Sequence, residues 1–135
     1  LLMDQLKTMG LDDNTLVMFS SDNGTTFNVG GVDADFFNSL SGLRGRKQDL
    51  YEGGIREPFI ARWPGKIEAG RVSDHISAQF DIMPTLAELT RQKLPSTDGI
   101  SLLPTLLGKG NQPKHKYLYF EFPEKSGQVA IRSGV

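Results

Sequence analysis

Leu16-Val17-Met18-Phe19-Ser20-Ser21-Asp22-Asn23-Gly24 joins an apolar run to a polar turn. Its apolar half is short, β-branched and aromatic, and predicts a buried strand over 15–19 in a parallel sheet. Its polar half places a carboxylate and a carboxamide at the carboxyl end of that strand. Open α/β sheets bind their ligands at such strand ends. Two adjacent hard oxygen donors suit a hard cation such as Ca²⁺ or Mg²⁺. Asp-Asn-Gly is also common turn chemistry, because all three residues tolerate positive φ. From these residues alone both readings stand.

Upstream, Leu1, Leu2, Leu6 and Met9 share a helical face and Gly10 is placed to end that helix. Helix, turn, strand and polar loop make an α/β unit. Asp12 and Asp13 fall at the opposite end of the strand from Asp22, and read as a solvated turn.

Downstream, residues 24–57 are rich in glycine and charge and lack periodicity. Loops of this length are uncommon unless functional or disordered. Phe27, Phe36, Phe37, Leu40 and Leu43 predict apolar anchors for an ordered loop. Arg44, Arg46 and Lys47 gather positive charge among glycines, which reads either as a local anion site or as a solvated basic turn.

A strand over 59–63 is stopped by Pro64-Gly65. A short strand or lead-in over 76–80 follows. Asp81 then caps a helix striped by Ile82, Met83, Leu86, Ala87 and Leu89, with Pro84 in its first turn. His75 reads as a surface histidine. A short helix over 101–107 ends at Gly108, and strands over 117–122 and 128–133 predict an antiparallel pair.

The composition limits the function classes. Fifteen basic against sixteen acidic residues leave a net charge of −1, so nothing electrostatic favours nucleic acid or a membrane surface. The chain has no cysteine, which excludes disulfides and thiolate metal sites. No apolar run approaches a bilayer span, and 135 residues are enough for one core. A start at Leu1-Leu2 and a finish inside an alternating strand read as the cut ends of a longer protein.

Four blocks then occur in order. They are Ser20 to Gly24 after a strand, Leu43-Arg44-Gly45-Arg46-Lys47-Gln48-Asp49-Leu50-Tyr51-Glu52-Gly53-Gly54-Ile55-Arg56-Glu57-Pro58, Ile60-Ala61-Arg62-Trp63-Pro64-Gly65, and Asp81-Ile82-Met83-Pro84-Thr85-Leu86. The set resembles the formylglycine-dependent sulfatases over residues 15–90, and Gln128-Val129-Ala130-Ile131-Arg132 resembles that family's C-terminal sheet. The Lys-x-x-x-Tyr-Glu-Gly-Gly-Ile-Arg run is the most specific part.

The resemblance implies an α/β fold: part of an alkaline-phosphatase-like mixed sheet with helices, plus the start of a small C-terminal antiparallel sheet. It implies residues 1–108 as the C-terminal part of the catalytic domain and 109–135 as the start of the antiparallel subdomain. It implies sulfate-ester hydrolysis with Ca²⁺ at the sulfate and a formylglycine nucleophile. Asp22 and Asn23 inherit the role of calcium ligands, and Lys47 that of a sulfate contact. Gly53 and Gly54 are expected to let backbone pack closely, and Glu52 with Arg56 to form a structural pair.

The family's nucleophile sits in a Cys/Ser-x-Pro-x-Arg context that no residue here provides. The aspartate pair completing the calcium site, the histidine and the second lysine are also missing. The chain alone is therefore expected to be inactive and to self-associate through exposed sheet edges. The implied partner is a sulfated small molecule or carbohydrate, and family analogy suggests a periplasmic or secreted enzyme. Two other readings are a phosphomonoester or phosphonate hydrolase of the same superfamily, and a non-catalytic module binding calcium or a sulfated glycan.

Overall fold

Local sequence sets most of the elements seen in a computed structural model, which describes residues 1–134. Helix α1 covers Leu2–Thr8. Gly10, at φ +68°, closes it: the Gly10 N–H donates to the Lys7 carbonyl and Leu11 N–H to the Leu6 carbonyl. This paired termination needs a residue at ease in the left-handed region. Strand β1 is Val17–Ser20, helix α2 Glu52–Ile55 and strand β2 Phe59–Arg62. Helices α3 and α4 are Ile82–Thr90 and Leu103–Leu107. Strands β3 and β4 are Tyr117–Phe122 and Gln128–Ser133.

Two two-stranded antiparallel sheets result, β1 with β2 and β3 with β4. This corrects the expectation of a buried strand in a parallel sheet. With one neighbouring strand among the described residues, β1 leaves much of its surface open, and Phe19 is 61% exposed. The stretch 76–80 forms no strand; it runs into a 3₁₀ turn at Gln79–Asp81 that leads directly into α3.

The chain divides into two compact units. The first joins Leu1–Met18 to Ala61–Leu118. Its apolar centre contains Leu102 and Leu118, and beside them two polar residues, Asp81 and Thr85, are fully enclosed. The Asp81 carboxylate accepts hydrogen bonds from the Ala78 N–H (2.8 Å), the Ile100 N–H (2.7 Å) and His115 Nε2 (2.9 and 3.0 Å). Thr85 Oγ1 donates to the Asp81 carbonyl and accepts from the Leu102 N–H. A buried carboxylate is tolerable only when so supplied with donors.

Asp81 thus stands at the N-cap position of α3 without a side-chain capping bond there, and the acid at position 12 is more than a solvated turn. The Asp12 carboxylate accepts two parallel bonds from the Arg62 guanidinium, at 2.7 and 2.9 Å. Arg62 holds that carboxyl below its ordinary range. His75 is likewise half-buried rather than a surface residue, with an Nε2 that has no hydrogen-bond partner among the described residues.

The second unit joins Phe19–Ile60 to Tyr119–Arg132. Its long loop is ordered by polar contacts more than by the expected phenylalanines: Phe36 and Phe37 are 78% and 69% exposed, while Ala34 is the buried apolar residue. No helix among the described residues is long and apolar enough to cross a membrane.

Candidate functional site

Three glycines set the geometry at the end of β1. The Gly24 N–H donates to the Gly54 carbonyl at 3.0 Å. A Cβ on Gly24 would collide with Gly53 and Gly54 backbone, one on Gly53 with the Gly45 carbonyl, and one on Gly54 with the Asp49 and Arg46 carbonyls. The expected close approach is therefore present, and only residues without side chains permit it.

This seam fixes the Asp22-Asn23 turn against helix α2. The Ser21 hydroxyl donates to the Asn23 carbonyl at 2.8 Å. Asn23 Nδ2 donates to the Gly24 carbonyl at 3.0 Å, and Oδ1 has no hydrogen bond among the described residues. Asp22 is exposed, and its carboxylate has no hydrogen bond or ion pair among the described residues.

Glu57 is the residue that sequence reading missed. It lies two positions before β2, as Asp22 lies two positions after β1, so strand pairing brings them together. Burial and the nearby Asp22 charge push the Glu57 carboxyl up, opposed in part by its own backbone N–H. The signal was available only as an acid flanking the second strand, and it needed the pairing to become meaningful. Among the described residues no three His, Cys, Asp or Glu side chains gather as a complete metal centre. The donors present are oxygens only, with uncompensated negative charge, and they fit part of a shell for a hard cation.

The basic cluster resolves into three different environments. Arg44 stacks on the Tyr51 ring, 3.8 Å from its centroid. Arg46 pairs with Asp35 and reaches the Thr26 carbonyl. Lys47 is exposed, and its side chain has no partner among the described residues. The Lys47 N–H donates to the Thr25 carbonyl at 2.7 Å, three residues beyond Asp22. The expectation of a three-residue anion site narrows to one available ammonium group.

Glu52 and Arg56 form the expected pair at 3.6 Å, and Glu52 also accepts from Arg132 Nε at 2.8 Å. Both glutamate oxygens are thereby engaged, which suits a structural role.

The chain has the alkaline-phosphatase-like α/β fold of the solved structures it superposes on. The chain belongs to the sulfatase family, whose model matches residues 1–92. Arylsulfatase A of Bos taurus is 40% identical over 141 residues, covering 98% of this chain and 26% of the relative. N-acetylgalactosamine-6-sulfatase of Mus musculus is 40% identical over 126 residues, covering 88% and 23%. Among solved structures, a Bacteroides thetaiotaomicron protein from a locus for the metabolism of multiple glycosaminoglycans superposes with a TM-score of 0.77 at 35% identity, covering 98% of this chain and 28% of that one. The chain spans about a quarter of the length of the curated relatives it matches.

Proposed function

We propose that this chain supplies part of the active site of a sulfate-ester hydrolase, in which Asp22 and Asn23 hold Ca²⁺ and Lys47 meets the sulfate. One observation carries the reading: the Lys47 backbone is bonded at 2.7 Å to Thr25, on the loop that leaves the Asp22-Asn23 turn. The proposed cation ligands and the residue that bears the ammonium group therefore lie on loops joined by a backbone hydrogen bond. Residues 1–108 belong to the catalytic domain in this reading, and 109–135 begin the antiparallel subdomain.

Asp22 contributes a carboxylate oxygen and Asn23 its Oδ1, the donor types calcium prefers. When bound, the cation withdraws electron density from the sulfate oxygens. Lys47 offers a fixed positive charge to the tetrahedral anion. Its ammonium interacts most strongly when negative charge accumulates on the departing and attacking oxygens, which favours the transition state over the ground state. The glycine seam holds the two loops without side chains that could shift between them. The formylglycine nucleophile lies outside these 135 residues, so the chain by itself has no turnover. The relatives' names point to a sulfated carbohydrate or small-molecule substrate.

The test is a side-by-side assay of the intact protein with an aryl sulfate and an aryl phosphate. Sulfate hydrolysis dominates, and Lys47→Ala lowers kcat/KM by about a hundredfold. A variant as active as wild type removes Lys47 from the site. Faster phosphate turnover, or no turnover of either ester, overturns the sulfate reading.

A further inference from the structure

Lys47 sits on a turn whose sequence does not suit its shape. The Asp49 N–H donates to the Arg46 carbonyl at 2.8 Å, closing a four-residue turn with Lys47 and Gln48 at its centre. Gln48 has φ +77° while Lys47 is not in the positive region. That combination is the type II turn, which asks for glycine or asparagine at the third position. A glutamine there is strained and must be held by its surroundings.

The surroundings come from the β3–β4 hairpin. Gln128, the first residue of β4, donates from Nε2 to the Gln48 carbonyl at 3.0 Å. Its Oε1 accepts from the Leu50 N–H at 3.4 Å. One side-chain amide thus grips the backbone on either side of Asp49, at the C-terminal end of the turn. Lys125, in the hairpin connection, reaches the Asp49 carboxylate at 3.4 Å, and that carboxylate accepts from the Arg46 N–H at 3.0 Å. Arg132, at the far end of β4, holds Glu52. All these residues belong to one compact unit. Asp49 and Glu52 are local, but Gln128 lies 80 residues from Gln48, so the turn's shape depends on the hairpin being in place.

We infer that Gln128 is a positioning residue for Lys47: the β3–β4 hairpin clamps a strained turn and so fixes where the ammonium group is presented. The role of Lys47 rests on the function proposed above, while the clamp itself does not. An unclamped turn with Gln48 in it relaxes towards negative φ, which re-aims the preceding side chain. Substrate would still bind to the remaining contacts, but the charge would miss the developing anion.

Two measurements on the intact protein test this, using wild type, Gln128→Ala, Gln48→Gly and the double variant. Hydrogen exchange at the Asp49 amide reports turn closure independently of chemistry. Aryl sulfate kinetics report the placement of Lys47. Gln128→Ala accelerates Asp49 exchange about tenfold and lowers kcat about tenfold, with KM within about twofold of wild type. Gln48→Gly slows Asp49 exchange, because glycine adopts the turn freely, and in its background Gln128→Ala loses most of its effect on both readouts. Unchanged Asp49 exchange in Gln128→Ala overturns the clamp, as does an equal kcat loss with Gln48 or Gly at position 48. If Gln128→Ala does not fold, Gln48→Gly decides alone: faster Asp49 exchange in it refutes the strained turn. If wild type hydrolyses no sulfate ester, the functional proposal falls and the exchange result still decides the clamp.

Discussion

Asp81 and Asp22 are the same residue in opposite circumstances. Asp81 has no exposed surface and takes hydrogen bonds from two backbone N–H groups and a histidine ring. Asp22 is exposed, has no hydrogen bond among the described residues, and raises the cost of charge on its neighbour Glu57. The contrast separates an acid satisfied by protein groups from one left open to solvent. A satisfied buried carboxylate organises chain: here it ties the start of α3 to the stretch before α4 and to the loop before β3. One left open at a strand end is available to a ligand, the role proposed above for Asp22.

The sharpest way to break this comparison is to remove each carboxylate. Asp81→Ala strands two buried N–H groups and a histidine, and lowers unfolding free energy by about 3 kcal/mol in a denaturant titration. Asp22→Ala changes it by about 0.5 kcal/mol or less. Equal losses would erase the distinction between the two sites. Next in size is the glycine seam. Gly54→Ala forces a methyl into backbone carbonyls and costs about 2 kcal/mol, visible as a lower denaturation midpoint with an unchanged slope.

The smallest effect concerns pH. Burial lowers the His75 pKa from its usual 6.5, with His115 and Lys114 adding to this and Asp81 opposing it. The unfolded chain then binds a proton that the folded chain resists. His75 contributes nothing against folding above about pH 6.5 and destabilises progressively as pH falls through and below that value. Thermal midpoints measured across this range should fall less steeply in His75→Phe than in wild type. Identical slopes would show that His75 is not the group responsible.

Local chemistry made much of this legible. The hairpin strands follow from alternation at 117–122 and 128–133, α3 from its apolar stripe, and the glycine seam from Gly53-Gly54 beside a strand end. What escaped depends on distant chain. His115 is 34 residues from Asp81, and nothing in a basic loop marks it as that acid's partner. Phe36 and Phe37 looked like anchors because they are large and apolar, yet Asn28 and Asp35 order that segment through hydrogen bonds instead. Asp12 looked like a turn acid until Arg62, fifty residues on, came beside it. Gln48 gave no hint of positive φ, since glutamine rarely adopts it without outside help.

The seam of Gly24, Gly53 and Gly54 has one more consequence. Because main chain meets main chain there, the spacing between the Asp22-Asn23 turn and the lysine loop is set by backbone contact rather than by neighbouring side-chain size. A change of side chain at the rim therefore acts on the surroundings of the turn before it acts on the distance across the seam.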